Sequence, residues 1–333
     1  MKKKIFLVLA CLVGTVQAFA SGCCDTGDSC NPCCAPSDCC LDFDSKLFVD
    51  VGGGLRWDSI SWKTRASGFD SGDFHQKWRD IKLGVIEANV AFLACDHYLL
   101  KGNFDYGWVY GKNHLSTNRF GSSSGFSSSS SNFSSRSKKG HAYDLSAGVG
   151  YQFNFECYSI ALAPLVGYSY NELTLNRRGF DVYDTSFGSS SSGSNGHNHK
   201  FRMSGPWLGF ATTYQATCEM LFYLDYAFHW ANFRATLDEG LAFEEPGLSF
   251  SRRFKSKDAY GNEITIGGVY TLCDCWFAGL RFNYKNWFTN KKNHHHHDVY
   301  SSSFSGSSSN EHSRFRNLDW NTYIVTIDIG YTF

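Results

Sequence analysis

Cysteine is the residue type with the clearest chemical potential in this sequence. Twelve cysteines follow the N-terminal leader described below. Seven of them crowd into one short segment: Cys23, Cys24, Cys30, Cys33, Cys34, Cys39 and Cys40. The other five lie at short turns between predicted strands: Cys95, Cys157, Cys218, Cys273 and Cys275. Because thiols form disulfides in oxidising compartments, this pattern predicts cross-links within the chain or to other proteins.

The cysteine-rich segment has a second interpretation, as a zinc site. Cys30 and Cys33 are separated by two residues, a common spacing for zinc ligands. The N-terminal leader predicts export, and export together with the adjacent cysteine pairs favours disulfides over a tetrahedral thiolate site. Cysteines spread one per turn around a barrel are too far apart to pair readily with one another. We therefore expect some of them to bond to the N-terminal segment or to other cysteine-rich envelope proteins.

A run of histidines is a weaker candidate for metal binding. The run comprises His294, His295, His296 and His297. Asp298 and His312 lie nearby, and His197 and His199 occupy another predicted loop, so imidazoles could bind a transition metal there. The alternative is a polar loop tip, because nothing in the sequence holds the rings in a defined arrangement. We predict no resident metal or cofactor.

The N-terminus has the pattern of a secretory signal peptide. Lys2, Lys3 and Lys4 precede an apolar run, and Ala18-Phe19-Ala20 forms a small-x-small cleavage site. We expect residues 1–20 to be the signal peptide and residues 21–45 a cysteine-rich periplasmic segment. Lipoprotein cleavage before Cys11 would leave a shorter apolar run. Removing three lysines changes 31 basic against 31 acidic residues to 28 against 31, which does not indicate a nucleic-acid partner.

Strict alternation of apolar and polar residues identifies the elements that position these groups. In the last segment one face carries Tyr323, Val325, Ile327, Ile329, Tyr331 and Phe333. The opposite face carries Thr322, Thr326 and Asp328. This period of two is typical of a β-strand with one apolar face and one polar face. Ten such segments are predicted, at roughly 46–62, 79–94, 97–112, 141–155, 158–174, 201–216, 219–235, 256–272, 275–289 and 319–333. A phase change near Ile86 and Glu87 predicts a bulge or a wrong boundary in the second strand.

The fold class that follows is all-β, a transmembrane antiparallel up-and-down β-barrel of about ten strands over residues 46–333. The mature chain has no run of about 18 apolar residues for a membrane helix, so a membrane-spanning chain must close into a barrel. Aromatic content of 17% with 32 glycines and 5 prolines fits such a barrel better than a soluble sandwich. Trp57, Trp62, Trp108, Trp230, Trp287 and Trp320 lie near the loop ends of strands and predict an interfacial girdle.

Short and long connections alternate along the chain. Four junctions are tight: Cys95-Asp96, Glu156-Cys157, Thr217-Cys218 and Cys273-Asp274. Five are long, and three of these contain serine-rich tracts, at 121–137, 187–195 and 301–309. Outer-membrane barrels have tight periplasmic turns and long outer loops. This predicts a cell outer membrane location with both termini and all twelve cysteines on the periplasmic side, and a belt in contact with lipid.

Charged side chains fall on the predicted inner face. These are Lys101, Asp105, Asp225, Arg281, Lys285 and Asp328. They predict the lining of a narrow pore that selects small hydrophilic solutes. A salt-bridged plug is the alternative, because ten strands lie near the size at which side chains fill a barrel. No Ser-His-Asp set, P-loop, dinucleotide fingerprint or EF-hand loop is present.

The cysteine-rich segment followed by a barrel resembles the outer-membrane proteins of chlamydia-related bacteria, especially the Protochlamydia outer membrane protein (Pom) group. The resemblance covers the whole mature chain and is one of overall design rather than of a short motif. It implies porin activity together with disulfide cross-links that strengthen the envelope. The alternative within this class is a purely structural or adhesive envelope protein.

Other residues are similar to the omptins, ten-stranded outer-membrane proteases. The similarity lies in Phe201-Arg202-Met203, Trp207-Leu208-Gly209 and the terminal Gly330-Tyr331-Thr332-Phe333. Omptins use a pair of aspartates on the third strand and an Asp-His pair on the seventh. Here Asp105 is followed by Tyr106-Gly107-Trp108-Val109, and Asp238-Glu239 by Gly240-Leu241. The resemblance therefore implies an omptin-like barrel without matched catalytic residues, so we predict no enzyme, with an omptin-like protease as the enzyme-class alternative.

Overall fold

The chain forms one continuous sheet in a computed structural model. The model describes residues 46–67, 72–95, 97–110, 113–121, 132–155, 159–183, 190–217, 219–240, 249–273, 275–289, 299–301 and 312–333. The strand segments are β1 (Lys46–Ser67), β2 (Gly72–Ala94), β3 (Tyr98–Val109), β4 (Asn113–Gly121), β5 (Asn132–Tyr151), β6 (Phe153–Phe155), β7 (Ile160–Tyr183), β8 (Ser190–Gln215), β9 (Met220–Gly240), β10 (Ser249–Cys273), β11 (Trp276–Thr289), β12 (Val299–Ser301) and β13 (His312–Thr332). Within these ranges, no helix is both long and apolar enough to cross a membrane. The predicted signal peptide and cysteine-rich segment lie outside the described residues.

The strands close into a ten-stranded antiparallel barrel, which confirms the predicted fold class. Three wall positions are each built from two consecutive segments, so the order around the ring is β1, β2, β3/β4, β5/β6, β7, β8, β9, β10, β11/β12 and β13. β13 pairs with β1 over the whole span from Phe48↔Thr332 to Ser67↔His312. This pairing leaves no open sheet edge, which is the condition for strands in lipid.

The connections at one end are short. Three residues separate β2 from β3, four separate β6 from β7, four separate β8 from β9 and two separate β10 from β11. At the other end the strands continue further than the alternation predicts. β5 begins at Asn132 and β8 at Ser190, so parts of two serine-rich tracts expected as loops are strand.

The lower half of the barrel, next to the short turns, has an apolar exterior. Its aliphatic belt includes Val51, Leu100, Val149, Val166, Leu280, Ile327 and Ile329, all exposed on the outer face. Aromatic side chains bracket the belt on both sides. The ring on the short-turn side includes Tyr98, Tyr151, Phe153, Tyr214, Tyr270 and Trp276. The ring on the far side includes Tyr106, Trp108, Trp230 and Tyr323. Two girdles around an apolar band are the lipid-facing surface of a membrane barrel.

Above the far girdle, apolar residues lie on the inner face of the barrel wall instead of the outer face. β9 is an example. Up to Trp230 the outward positions are apolar, for example Phe222 at 44% exposed and Leu224 at 40%. From Ala231 onward the inward positions become apolar, and Phe233 and Leu237 are each 1% exposed. β9 itself has no extra residue at this change, and the irregularity beside it lies in β10, between Ser256 and Ala259. The barrel therefore continues beyond the membrane as a water-exposed barrel with its own apolar core.

The predicted bulge near Ile86 and Glu87 is wrong. Both residues pair regularly with β1 and β3, with Ile86 pointing outward and Glu87 buried inside. The irregularity in β2 lies closer to the start of that strand. Asp58 and Ile60 of β1 pair with Ile81 and Trp78, so β2 has one extra residue there. Asp80 has a positive φ of 55° there, as an extra residue in a bulge requires. Leu83 and Val85 are apolar but point inward, whereas Ile86 points outward. The sequence therefore shows a change of phase although the strand itself is regular.

Candidate functional site in the lumen

The lower lumen contains an ion-pair layer centred on Arg281. Its guanidinium bonds Glu87 and lies 3.3 Å from an oxygen of Asp50 and 3.6 Å from one of Asp328. Its Nε donates to the Tyr223 hydroxyl at 2.7 Å. One cation thus serves three carboxylates that come from three neighbouring strands, β2, β1 and β13.

A second pair in this layer bridges the barrel between distant strands. Lys101 Nζ on β3 lies 2.5 Å from Asp225 Oδ2 on β9, four positions away around the ring. Both side chains keep partial access to solvent, at 32% and 26%. We call the set Lys101, Arg281, Asp50, Glu87, Asp225 and Asp328 the lower layer.

Above it lies an upper layer organised by Lys285 and Arg56. Lys285 Nζ is 3.0 Å from Asp144, 3.3 Å from Glu263 and 3.7 Å from Asp105. Lys285 is on β11 and Asp144 on β5, five positions apart and therefore diametrically opposed. The upper layer consists of Arg56, Lys285, Asp58, Asp105, Asp144 and Glu263.

Arg56 on β1 shares one of these carboxylates, Asp144, and adds a second, Asp58. It donates to Asp58 at 2.8 Å and to Asp144 at 3.0 Å, and all three side chains are buried. Asp58 also accepts hydrogen bonds from Trp320 Nε1 at 3.0 Å and from the Thr322 hydroxyl. Buried charges persist only when they are paired and hydrogen-bonded in this way.

All six side chains predicted to line a pore thus point into the lumen. Lys101 pairs with Asp225, Lys285 with Asp105, and Arg281 with Asp328. Sequence reasoning missed the six other members of the two layers, which complete these networks: Asp50, Arg56, Asp58, Glu87, Asp144 and Glu263. Their signal was present, since each is a charged residue at an inward position of an alternating strand.

A chain of Ser169, His229 and Glu263 also comes together in the lumen. Ser169 Oγ lies 2.9 Å from His229 Nδ1, and His229 Nε2 lies 3.4 Å from Glu263. The three residues come from three strands, so no sequence motif announced them. Ser169 and His229 are buried and the Trp287 ring centroid is 4.8 Å from that of His229. Burial and the contact with the Trp287 indole are typical of a histidine packed in a protein interior.

An apolar plug fills the lumen above the upper layer. It includes Ile60, Trp62, Trp78, Phe201, Met203, Phe233, Phe254, Trp287, Leu318 and Trp320, all buried. The ring of Trp62 on β1 lies 5.3 Å from that of Phe201 on β8, the diametrically opposed strand. Trp78 Nε1 on β2 donates to His199 Nδ1 at 3.2 Å.

Two expectations fail at this plug. Trp62, Trp287 and Trp320 do not belong to an interfacial girdle, because they point inward and are at most 1% exposed. His199 is not in a loop; it lies in β8 and is buried against Trp78. The cause is the exchange of polarity above the membrane, where apolar residues face inward. Trp108 and Trp230 do lie on the outer face, at 44% and 47% exposed.

One carboxylate on the outer face marks the upper edge of the apolar belt. Glu172 points outward on β7, yet its side chain is only 1% exposed. Lys200 covers it at 2.6 Å, Arg202 at 2.7 Å and the Tyr170 hydroxyl at 2.5 Å. Two cations and a tyrosine around one carboxylate suit the boundary between lipid and water.

Most of the cysteine and histidine candidates lie outside the described residues. Of the twelve cysteines, Cys95 is in an exposed turn between β2 and β3, and Cys275 is half-buried in the turn before β11. Cys273 ends β10 at the same turn. The histidine run at 294–297 is not described. In the part of the chain that is described, no group of three or more potential ligands is arranged for a metal ion.

An apolar belt between two aromatic girdles, a charged lumen and short turns at one end define an outer-membrane β-barrel protein. The chain belongs to the family described as Protochlamydia outer membrane protein, whose model matches residues 50–333. The predicted family, the omptin-like barrel and the outer-membrane location are thereby confirmed. Contact of the belt with lipid follows from that location.

Solved structures are similar to this chain. The outer membrane protease OmpT from Escherichia coli aligns over 88% of this chain and 99% of its own, with a TM-score of 0.67 and 13% identity. At that identity the likeness concerns the fold alone. The translocator domain of the autotransporter NalP from Neisseria meningitidis aligns over 85% of this chain and 88% of its own, with 14% identity and a TM-score of 0.33. Comparison with curated proteins gives no match.

Proposed function

We propose that this chain is a structural barrel of the outer membrane whose lumen is closed at rest. The observation that carries the proposal is that side chains from opposed or nearly opposed strands touch at three heights. Lys101 meets Asp225, Lys285 meets Asp144, and Trp62 meets Phe201. A barrel of this strand number has an interior that side chains fill.

The proposal predicts little ion flow through the folded wild-type protein in a planar bilayer. A matched variant, Trp62→Ala with Phe201→Ala, removes the contact between opposed strands in the plug. It should increase the frequency of open events at least about tenfold. Frequent, long-lived openings of the wild type at low voltage would contradict a closed resting state. Heat-modifiable migration on gels verifies that both proteins are folded.

Cross-linking to the envelope is the second part of the structural proposal. The described turn cysteines lie at the short-turn end, which we assign to the oxidising periplasm. The seven N-terminal cysteines precede Lys46 in the sequence, and Lys46 begins β1 at that same end. We expect high-mass species on non-reducing gels of intact envelopes that collapse to monomer with reductant. Replacing the seven N-terminal cysteines by serine should remove most of these species. Monomer alone under non-reducing conditions would overturn this part.

A porin-like passage of small hydrophilic solutes is a second candidate function. It is favoured by the partial solvent access of Lys101 and Asp225, which opens the lower layer to water. Buried ion pairs are no more stabilising than apolar packing of the same volume, so a permanently sealed barrel gains little from them. Passage would require the plug and the upper layer to rearrange together.

Proteolysis, which OmpT performs, receives no comparable support. Asp105, the carboxylate expected near an omptin-like site, is buried and paired with Lys285. Asp238 lies in β9, but its side chain is outside the described set. We therefore do not extend protease activity to this chain.

A further inference from the structure

The lumen carries a surplus of negative charge in both ion-pair layers. In the lower layer four carboxylates, Asp50, Glu87, Asp225 and Asp328, share two cations, Lys101 and Arg281. In the upper layer four carboxylates, Asp58, Asp105, Asp144 and Glu263, share Arg56 and Lys285. Each layer therefore has a formal excess of two negative charges, four against two.

Sheet register concentrates this surplus rather than dispersing it. Glu87 of β2 is directly opposite Asp105 of β3, and Asp105 is directly opposite Asp144 of β5. All three side chains point inward and are buried. Carboxylates directly opposite one another on neighbouring strands repel. Positive charge close to Glu87, Asp105 and Asp144 therefore stabilises this row of carboxylates.

The neighbouring neutral groups supply hydrogen bonds but no charge. Asn89 Nδ2 donates to Asp50 at 2.7 Å and to Glu87 at 3.0 Å. Asn103 Nδ2 lies 3.1 Å from both Glu87 and Asp105. The Thr326 hydroxyl donates to Glu87 at 3.1 Å. Amides and hydroxyls lower the cost of burying these carboxylates, and the excess charge remains to be neutralised by protons or by external cations.

We infer that the lumen, when it opens, passes small cations such as potassium or primary ammonium ions in preference to anions. The inference rests on the porin-like candidate function above and adds its solute class. A low-dielectric wall lined by one sign of charge concentrates the opposite ion and excludes ions of its own sign. Because the two layers lie in series along the lumen, an anion would meet both surpluses on any passage.

The test is the permeability ratio of potassium to chloride in a bilayer with a salt gradient. Wild type and the Trp62→Ala/Phe201→Ala variant are measured at pH 8 and then at lower pH. We expect a ratio above about 3, falling as the pH is lowered because protons then replace the cations. If the double variant does not fold, the milder Trp62→Leu is used in its place.

Charge variants assign the preference to the layers. Asp50→Asn with Asp328→Asn, in the conducting background, leaves the lower layer with two carboxylates and two cations and should at least halve the ratio. Asp319→Asn, which removes one carboxylate from the exposed outer face of β13, is the matched control and should leave the ratio unchanged. Conduction with a ratio of about 1 or below would overturn the inference alone. Silence of every folded variant would overturn the porin-like function and the inference with it.

Discussion

Replacement of Lys285 by methionine is expected to lower the free energy of unfolding by about 3–5 kcal/mol, since removing one partner of a buried pair leaves uncompensated charge. Lys285 lies 3.0 Å from Asp144 and 3.3 Å from Glu263, and it also faces Asp105. Methionine is an unbranched side chain only one atom shorter than lysine, and it removes the charge together with the hydrogen-bond donors. Urea-induced unfolding from phospholipid vesicles, followed by tryptophan fluorescence, measures the loss.

The control for Lys285 is Lys255→Met, on the outer face of β10. Lys255 is exposed and its backbone is paired opposite Arg234, another cation, so its loss should change the unfolding free energy by less than about 0.5 kcal/mol. The Lys285 penalty should also shrink as the pH falls, because protonation removes the negative charge that the lysine compensated. A loss below about 1 kcal/mol at neutral pH would mean that the upper layer is already neutralised without Lys285.

Trp62→Ala is the second large effect that we expect, with a loss of about 3–5 kcal/mol. The indole is 1% exposed and packs against Phe201 and His199 across the lumen. Truncation leaves a cavity in a close-packed interior, because the surrounding strands are tied into a closed ring and cannot collapse inward. Equilibrium unfolding of the variant in vesicles gives the value.

Trp108→Ala is the matched control, because Trp108 is 44% exposed on the outer girdle. Its removal should cost less than about 2 kcal/mol. Equal losses of unfolding free energy for the two tryptophans would place Trp62 at the lipid interface, as the sequence alone predicted. A clearly larger loss for Trp62 supports the apolar core above the membrane.

The candidate site was only partly predictable from the sequence. Alternation placed Lys101, Arg281 and Lys285 on the inner face, because a period of two fixes which residues share a side. It said nothing about partners, since Lys285 meets Asp144 from a strand 141 residues away in the chain. The chain of Ser169, His229 and Glu263 was invisible for the same reason. Contacts across a lumen depend on barrel radius and stagger, which closure sets.

The sequence by itself determined the class of the protein. Period-two segments with apolar outer faces and short turns alternating with long connections specified an outer-membrane barrel, because lipid tolerates no unpaired backbone. Only the tertiary structure decided where the membrane ends. In β9 the apolar residues change from the outer to the inner face between Trp230 and Ala231, and β9 itself keeps its alternation without an extra residue. Outside the barrel wall, the surroundings change at that height from lipid to water. Apolar residues therefore face inward above it and form the plug, whereas below it they face outward and form the belt.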